Sequence, residues 1–410
     1  MHDLPQQLLI GLQLGSIYAL IALGYTMVYG VLKLINFAHG DVYMVGAYSG
    51  LGAIWLLGTQ ITTLIHRIGT RMPSLLHLLP LIPSWLGAIL TLLAAMLICA
   101  LLGLIVEQAA YRPLRTRAWI APAVFLGAAA GYVAYGIATD ANRTPASAVV
   151  IGLFAWAGIA ALLYTTQRRR TVGNASRLTA LITAIGVSLF LENFGVLKQI
   201  FSSEPRFYPT LVNLPPPLHI IQSPAIGWKH VTIFGHFHPV VHLFFSLTIG
   251  LENVLIFGLS IFLMLTLTYI VTRTRIGRAI RAVSFDADAA ALMGINTDQI
   301  IAFTFALGAG LAGAAGVLVC GMQHTQFNPY LGVADGLKAF VAAVLGGIGN
   351  IPGAVLGGLI MGLAETMVVA YGPRIGVDSS YRDAVAFFLL ILILLIRPAG
   401  LLGKFAPEKV

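Results

Sequence analysis

Ionisable side chains set in apolar sequence are the residues of this chain best placed to do chemistry, because each costs about 2.5–3.5 kcal/mol at the centre of a membrane and so demands a reason. Glu107, Glu192, Lys198, Lys338 and Glu365 all fall within or beside apolar runs. Glu107 and Lys198 stand at segment ends, from which they reach the interface. Glu192 and Glu365 sit deeper, where each either lines a polar path or bonds one helix to another. They do not form the series that a proton relay needs. A second polar group, Asn36 to Asp41, separates two apolar segments. Its His39 and Asp41 are suited to hydrogen-bond exposed helix ends, a structural or gating role. Two ligands do not make a metal site, and His230, His236, His238 and His242 lack tetrahedral spacing and read as a wet loop. No metal and no cofactor is expected. His-Glu-x-x-His, Gly-x-Ser-x-Gly and Walker A sequences are absent, so no catalytic residue is assigned and the chain is read as no enzyme. Any energy for work comes from elsewhere.

The elements that hold these residues are set by composition. Of 410 residues, 58% are hydrophobic and 10% charged, with a mean hydropathy of +0.89; soluble domains carry about 25% charged residues. Lipid is the main solvent. Apolar runs extend from Leu8 to Val31, Val42 to Leu57, Trp85 to Val106, Trp119 to Ala138, Ser147 to Tyr164, Leu178 to Leu197, Val254 to Val271, Ile300 to Gly321, Leu337 to Ile348, Ala354 to Ala370 and Ala384 to Ile396. Each is judged against the roughly 20 residues that span about 30 Å of hydrocarbon. The fold class is an all-α polytopic membrane protein with nine to eleven transmembrane helices. The first run is too long for a signal peptide and is expected to stay as a span. The run from Leu337 ends in Gly346 to Gly353 and reads as either a span or a re-entrant helix, so Gly349 and Asn350 are candidates for backbone that faces a solute. Glycines four residues apart, at Gly11 and Gly15, Gly46 and Gly50, and Gly349, Gly353 and Gly357, read first as ridges for close helix packing.

The net charge of +9 sits in short segments between apolar runs and marks orientation, not a nucleic-acid partner. Arg112, Arg115 and Arg117, then Arg168 to Arg170, then Arg273, Arg275, Arg278 and Arg281 are expected on the cytoplasmic side. That leaves Ile61 to Ser84, Asp140 to Ala146, Phe201 to Gly250 and Met322 to Asp335 outside, and the C-terminus inside. The third basic segment, about residues 273–298, holds two helix-like pieces. In the second, Asp288, Ala289 and Ala290 precede Gly294, a small-residue helix followed by a glycine able to turn the chain.

This segment resembles the EAA loop of ABC importer permeases, with Asp288 where that loop has Glu and without its later Leu-Pro. More broadly the chain resembles the LivH-type permeases of branched-chain amino-acid ABC importers. The likeness is carried by Leu14 to Leu20, Gly24 to Gly30, Ile35 to Asp41, Tyr111 to Arg115, Leu181 to Ser188, Gly346 to Asn350 and Arg397 to Leu401. It covers most of residues 1–115 and 176–404. The resemblance implies a type II importer permease in the inner membrane. It would pair with a LivM-type permease and two cytoplasmic ATPase subunits, receive solute from a periplasmic binding protein, and work by alternating access. Gly277, Arg278, Arg281, Asp288, Ala289, Ala290 and Gly294 would then form the ATPase-docking loop. Asn36, His39, Asp41, Glu192, Gly349, Asn350 and Glu365 would form gate or pathway. The solute is branched-chain amino acids or, within the same fold, urea or short amides. An ion-coupled secondary transporter and a membrane enzyme remain from other classes, and neither calls for a docking loop.

The chain departs from the family at 116–175, an inserted segment between the N-terminal part (1–115) and the C-terminal part (176–410). Its two apolar runs, split by Thr139 to Thr144 and flanked by arginines on both sides, read as a helical hairpin with both ends inside. A cysteine placed at Asn142 is expected to react with an impermeant thiol reagent from outside. Labelling only from the cytoplasm would exclude a spanning hairpin.

Overall fold

A computed structural model describes residues 4–71, 84–112, 177–196, 201, 203–208, 218–219, 229–233, 236–240, 248–249, 251–322, 326–376 and 378–403. The insertion at 116–175 and Lys198 lie outside these. The described helices are α1 (Leu4–Leu32), α2 (His39–Arg71), α3 (Ser84–Val106), α4 (Arg177–Val196), α5 (Leu251–Arg273), α6 (Arg275–Phe285), α7 (Ala287–Leu292), α8 (Thr297–Met322), α9 (Leu331–Gly346), α10 (Ile351–Tyr371) and α11 (Arg382–Ile396). A π-helical turn, Glu107–Tyr111, extends α3. Six stretches among the described residues are long and apolar enough to cross a membrane: Leu4–Leu32, Leu86–Tyr111, Val254–Arg273, Thr297–Gly321, Ile351–Arg374 and Ser379–Ile396. The chain is a polytopic helical membrane protein. Its long polar connection, read from sequence as loop, carries two short antiparallel ribbons. β1 (Leu218–His219) pairs with β4 (Thr248–Ile249), and β2 (Lys229–Ile233) pairs with β3 (His236–Val240). The β-branched run Val231, Thr232 and Ile233 favours such pairing.

Helix α1 is the axis of the bundle. Residues Ile17 to Leu23 are all buried, the mark of a helix apolar on every face and enclosed by others. It packs most extensively on α10, then on α8 and α9. Glycines make that approach possible: a Cβ on Gly15 would come 2.7 Å from the Leu359 Cα, and one on Gly358 would come 2.6 Å from the Ala19 Cα. The other ridges seen in sequence serve the same end. Gly46 lies against Gly313 of α8, Gly353 against Gly346, and Gly357 against Ala342 of α9. Because α1 and α10 run antiparallel, the turn between α9 and α10 lies on the side where α1 ends.

Replacing Gly358 by Leu is expected to lower the melting temperature of the detergent-solubilised protein markedly, since overpacking of this kind costs about 1–3 kcal/mol or more. Gly258→Ala on α5, where a Cβ would meet nothing within 4 Å, should leave stability unchanged or raise it. Equal behaviour of the two variants would refute the ridge argument.

Candidate functional site

The site is built where the chain leaves α1 and re-enters the bundle. Lys33 closes α1 with a positive φ of 56°, and its N–H donates to the Tyr29 carbonyl at 2.8 Å. Six residues later α2 begins, but not at the level where α1 ended. The His39 ring rests on Gly24, with its Nε2 3.2 Å from the Ile21 carbonyl oxygen and its face met edge-on by Tyr25 at 4.7 Å. Those contacts lie seven to eleven residues before Leu32, about 10–16 Å of helix. Helix α2 therefore starts inside the bundle. Gly40 makes this possible, since a Cβ on its α9 neighbour Gly336 would come 2.6 Å from the Gly40 Cα.

Around that start the polar residues converge. Asn36 accepts at Oδ1 from the Tyr111 hydroxyl at 2.9 Å, and Tyr111 is the last residue of the π turn. Asp41 accepts at Oδ2 from Ser188 of α4 at 2.5 Å, and its Oδ1 is buried without a hydrogen-bond partner. Glu192, one turn beyond Ser188, lies within electrostatic range of Asp41. Asn36, His39, Asp41 and Glu192, assigned from sequence as gate or pathway, thus come together. Tyr25, Tyr111 and Ser188 complete the cluster and were not singled out. All three stand within the segments that carry the family resemblance. Glu107, expected at the interface, is instead buried, because α3 does not stop before it but continues through the π turn against α4 and α8.

Glu365 belongs to a different cluster. It is 1% exposed and accepts from the Tyr18 hydroxyl at 2.7 Å and from Lys338 at 3.1 Å, and it pairs with Arg382. Lys338 also pairs with Asp383 at 2.7 Å, and Tyr43 donates to Asp335 at 3.0 Å. The network ties α1, α9, α10 and α11 together. Gly349 and Asn350 are placed elsewhere again, in the turn between α9 and α10. Gly347 and Gly349 have positive φ, Asn350 caps α10, and its Nδ2 donates to the Leu402 carbonyl at 2.7 Å. Leu401 and Leu402 hydrogen-bond the end of α9. The break in sequence there is a turn that the C-terminal segment closes.

The segment after α5 forms two short helices. Thr274 caps α6 by accepting from the Gly277 N–H at 3.0 Å, and Gly277 itself packs on the Ile270 and Val271 backbone. Ile280 and Val283 face inward, Arg278 and Arg281 are exposed, and Arg281 donates to the Val271 carbonyl. The Ser284 hydroxyl donates to the Gly30 carbonyl at 2.6 Å, fixing α6 to the end of α1. Asp286 caps α7, accepting from Asp288 and Ala289, and Gly294 leaves it with φ +85°. Ala290 is buried against the chain's own bundle, whereas Asp288 and Ala289 are exposed. Three apolar side chains are thrust outward here, Phe285 at 95%, Leu292 at 89% and Met293 at 83% exposure. Sequence reading had looked to the small residues of this segment and passed over the large ones.

Comparison with known proteins places the chain in a family. The family model described as branched-chain amino acid transport system / permease component matches residues 7–394. The high-affinity branched-chain amino acid transport system permease protein LivH of Escherichia coli is 35% identical over 408 residues, covering 99% of this chain and 97% of its own. The corresponding protein BraD of Pseudomonas aeruginosa is 37% identical over 405 residues, with the same coverage. The ribose import permease protein RbsC of Haemophilus influenzae is 33% identical over 131 residues, only 30% of this chain and 39% of its own. No solved structure matches.

The Glu365 network invites a double-mutant cycle. Glu365→Gln and Lys338→Met should each destabilise the solubilised protein, because each leaves a buried partner with one charge fewer. Combined, they should cost less than the sum by on the order of 0.5–3 kcal/mol, the range for groups within one network. Simple additivity in chemical unfolding would show that the two do not act as a pair.

Proposed function

The chain belongs to the branched-chain amino acid transport permease family, and from that premise we propose that it serves as the permease subunit of an ATP-driven importer, passing leucine, isoleucine and valine through the inner membrane by alternating access. The observation that carries this is likeness along nearly the whole chain to permeases of that solute class. The sugar-permease likeness, limited to under a third of the chain, supports no second solute.

The working assembly pairs this chain with a second permease of the LivM type, two cytoplasmic ATPases and a periplasmic binding protein. The span count is eleven: the six long helices, α2, α4, α9 and the two runs of the inserted hairpin. The segment at about 273–298 is the ATPase-docking loop. Phe285, Leu292 and Met293 supply the apolar contact, for exposed side chains of this size clustered on a capped helical segment are the usual mark of a partner surface. Arg278, Arg281 and Asp288 form its polar margin. Ala290 and Gly277 seat the loop on the permease itself, so bulk at Ala290 disturbs the permease before it reaches a partner.

Reconstituted with the second permease, both ATPases and the binding protein, the chain should support ATP-dependent leucine uptake. The triple variant Phe285→Ser, Leu292→Ser, Met293→Ser should reach the membrane at normal levels yet fail to retain the ATPases on purification. Gly294→Val should weaken the same retention, since a side chain at that φ adds about 1–2 kcal/mol of strain with no contact to relieve it. Full retention in both variants would remove the loop from the interface. Uphill leucine uptake by the chain alone, driven by a proton gradient without ATP, would overturn the importer reading as a whole.

A further inference from the structure

Glu365 and Asp41 are equally buried, and of the two only Glu365 meets basic side chains among the described residues. Glu365, 1% exposed, has Lys338, Arg382 and the Tyr18 hydroxyl. Asp41, also 1% exposed, has the Ser188 hydroxyl on Oδ2, while Oδ1 has no hydrogen-bond partner among the described residues. No Lys, Arg or His among the described residues forms an ion pair with Asp41. The neighbouring charge on it is a second acid, Glu192. A buried carboxylate placed beside another acid, with an unused acceptor, is a site that a cation completes.

The surroundings suit a cation that arrives and leaves. Asp41 lies in the first turn of α2, at the point where that helix starts inside the bundle. Gly332 of α9 packs so closely that a Cβ there would come 2.9 Å from the Asp41 Cα. The third wall is α4, which carries Ser188 and Glu192 and packs chiefly on α2 and on the π turn. Two walls are thus fixed by close backbone packing, and among the described residues the third, α4, makes less extensive contact. Discontinuous helices that begin at such depth place charged and backbone groups beside a solute path.

We infer that Asp41, with Ser188 and Glu192, is the seat for the ammonium group of the amino-acid solute as it crosses. The inference rests on the permease reading above and names the part of the solute that is held. An ammonium offers three N–H donors. The free Oδ1 of Asp41 takes one, and Glu192 adds a second negative charge on the α4 side. The apolar remainder of the solute needs no counterpart of this kind.

The test compares Asp41→Asn with Asp41→Glu in the complete importer, reconstituted with binding protein and ATP. Asn keeps the size of the side chain and can still accept from Ser188, but has no charge. Glu keeps the charge and adds a methylene to a packed place. If Asp41 holds the ammonium, Asn should cut leucine uptake by on the order of tenfold or more, as loss of a charge partner in a buried pair does. Glu should retain more uptake than Asn, with the melting temperature of the Asn variant close to wild type. A purely structural role predicts the reverse order, Asn near wild type and Glu impaired, and that result overturns the inference. Wild-type uptake that disappears when sodium is replaced by choline would assign the seat to an alkali cation and overturn it equally. If the wild-type assembly moves no leucine at all, the permease reading fails first, and the two failures are told apart by that control.

Discussion

Hydrocarbon offers no water to an unpaired polar group, so every donor, acceptor and charge within the bundle must find its partner in protein. That requirement governs this chain more than any single contact. It turns Lys338, Glu365, Arg382 and Asp383 from four isolated charges into one network, with Lys338 bridging a buried acid and an exposed one. It closes the glycine-rich turn after α9 with backbone from Leu401 and Leu402. It also makes the entry to α2 intelligible. A helix that starts inside the bundle presents free N–H groups there, and Asn36, His39 and Asp41 are the polar residues that surround its first turn.

The same requirement separates what the sequence disclosed from what it withheld. Helices were legible because spanning length and apolar content are properties of one segment at a time, and the described helices other than α6 and α7 fall on the apolar runs outside the insertion. The direction of a side chain is a property of two segments. Glu192 and Glu365 looked alike in sequence, and nothing in either helix could tell that one meets a lysine and an arginine while the other neighbours an aspartate. Glu107 was read from the end of its apolar run, and the run ends where a π turn begins, so the helix carries it inward.

Residues 273–298 show the division most clearly. The positive φ of Gly294 follows from a local need to leave a short helix, and small residue content made that need visible. The inward face of Ala290 follows from where α7 lands on the bundle, which no spacing of alanines discloses. Phe285, Leu292 and Met293 were hidden for the opposite reason. In a chain with 58% hydrophobic residues, three more apolar side chains draw no notice until the fold shows that they are the most exposed in this segment.

These two regions are joined by a short mechanical route. Ser284 of α6 holds the Gly30 carbonyl, three residues before Lys33 turns the chain out of α1. Asn36, His39 and Asp41 follow within eight residues of that turn. A displacement of α6 by an ATPase would pull on the end of α1 and on the connection into α2, the element that carries Asp41. Most of α1 cannot yield to such a pull, because its middle is enclosed by α8, α9 and α10 with backbones in near contact. The connection at 33–38, which has no regular helix of its own, is the part able to take up the motion. Coupling of this kind needs an element with two arrangements, not only a chain of contacts. The entry to α2 has the ingredients for two: a helix start held by side chains to α1 and α4, and a carboxylate with one acceptor left unpaired among the described residues.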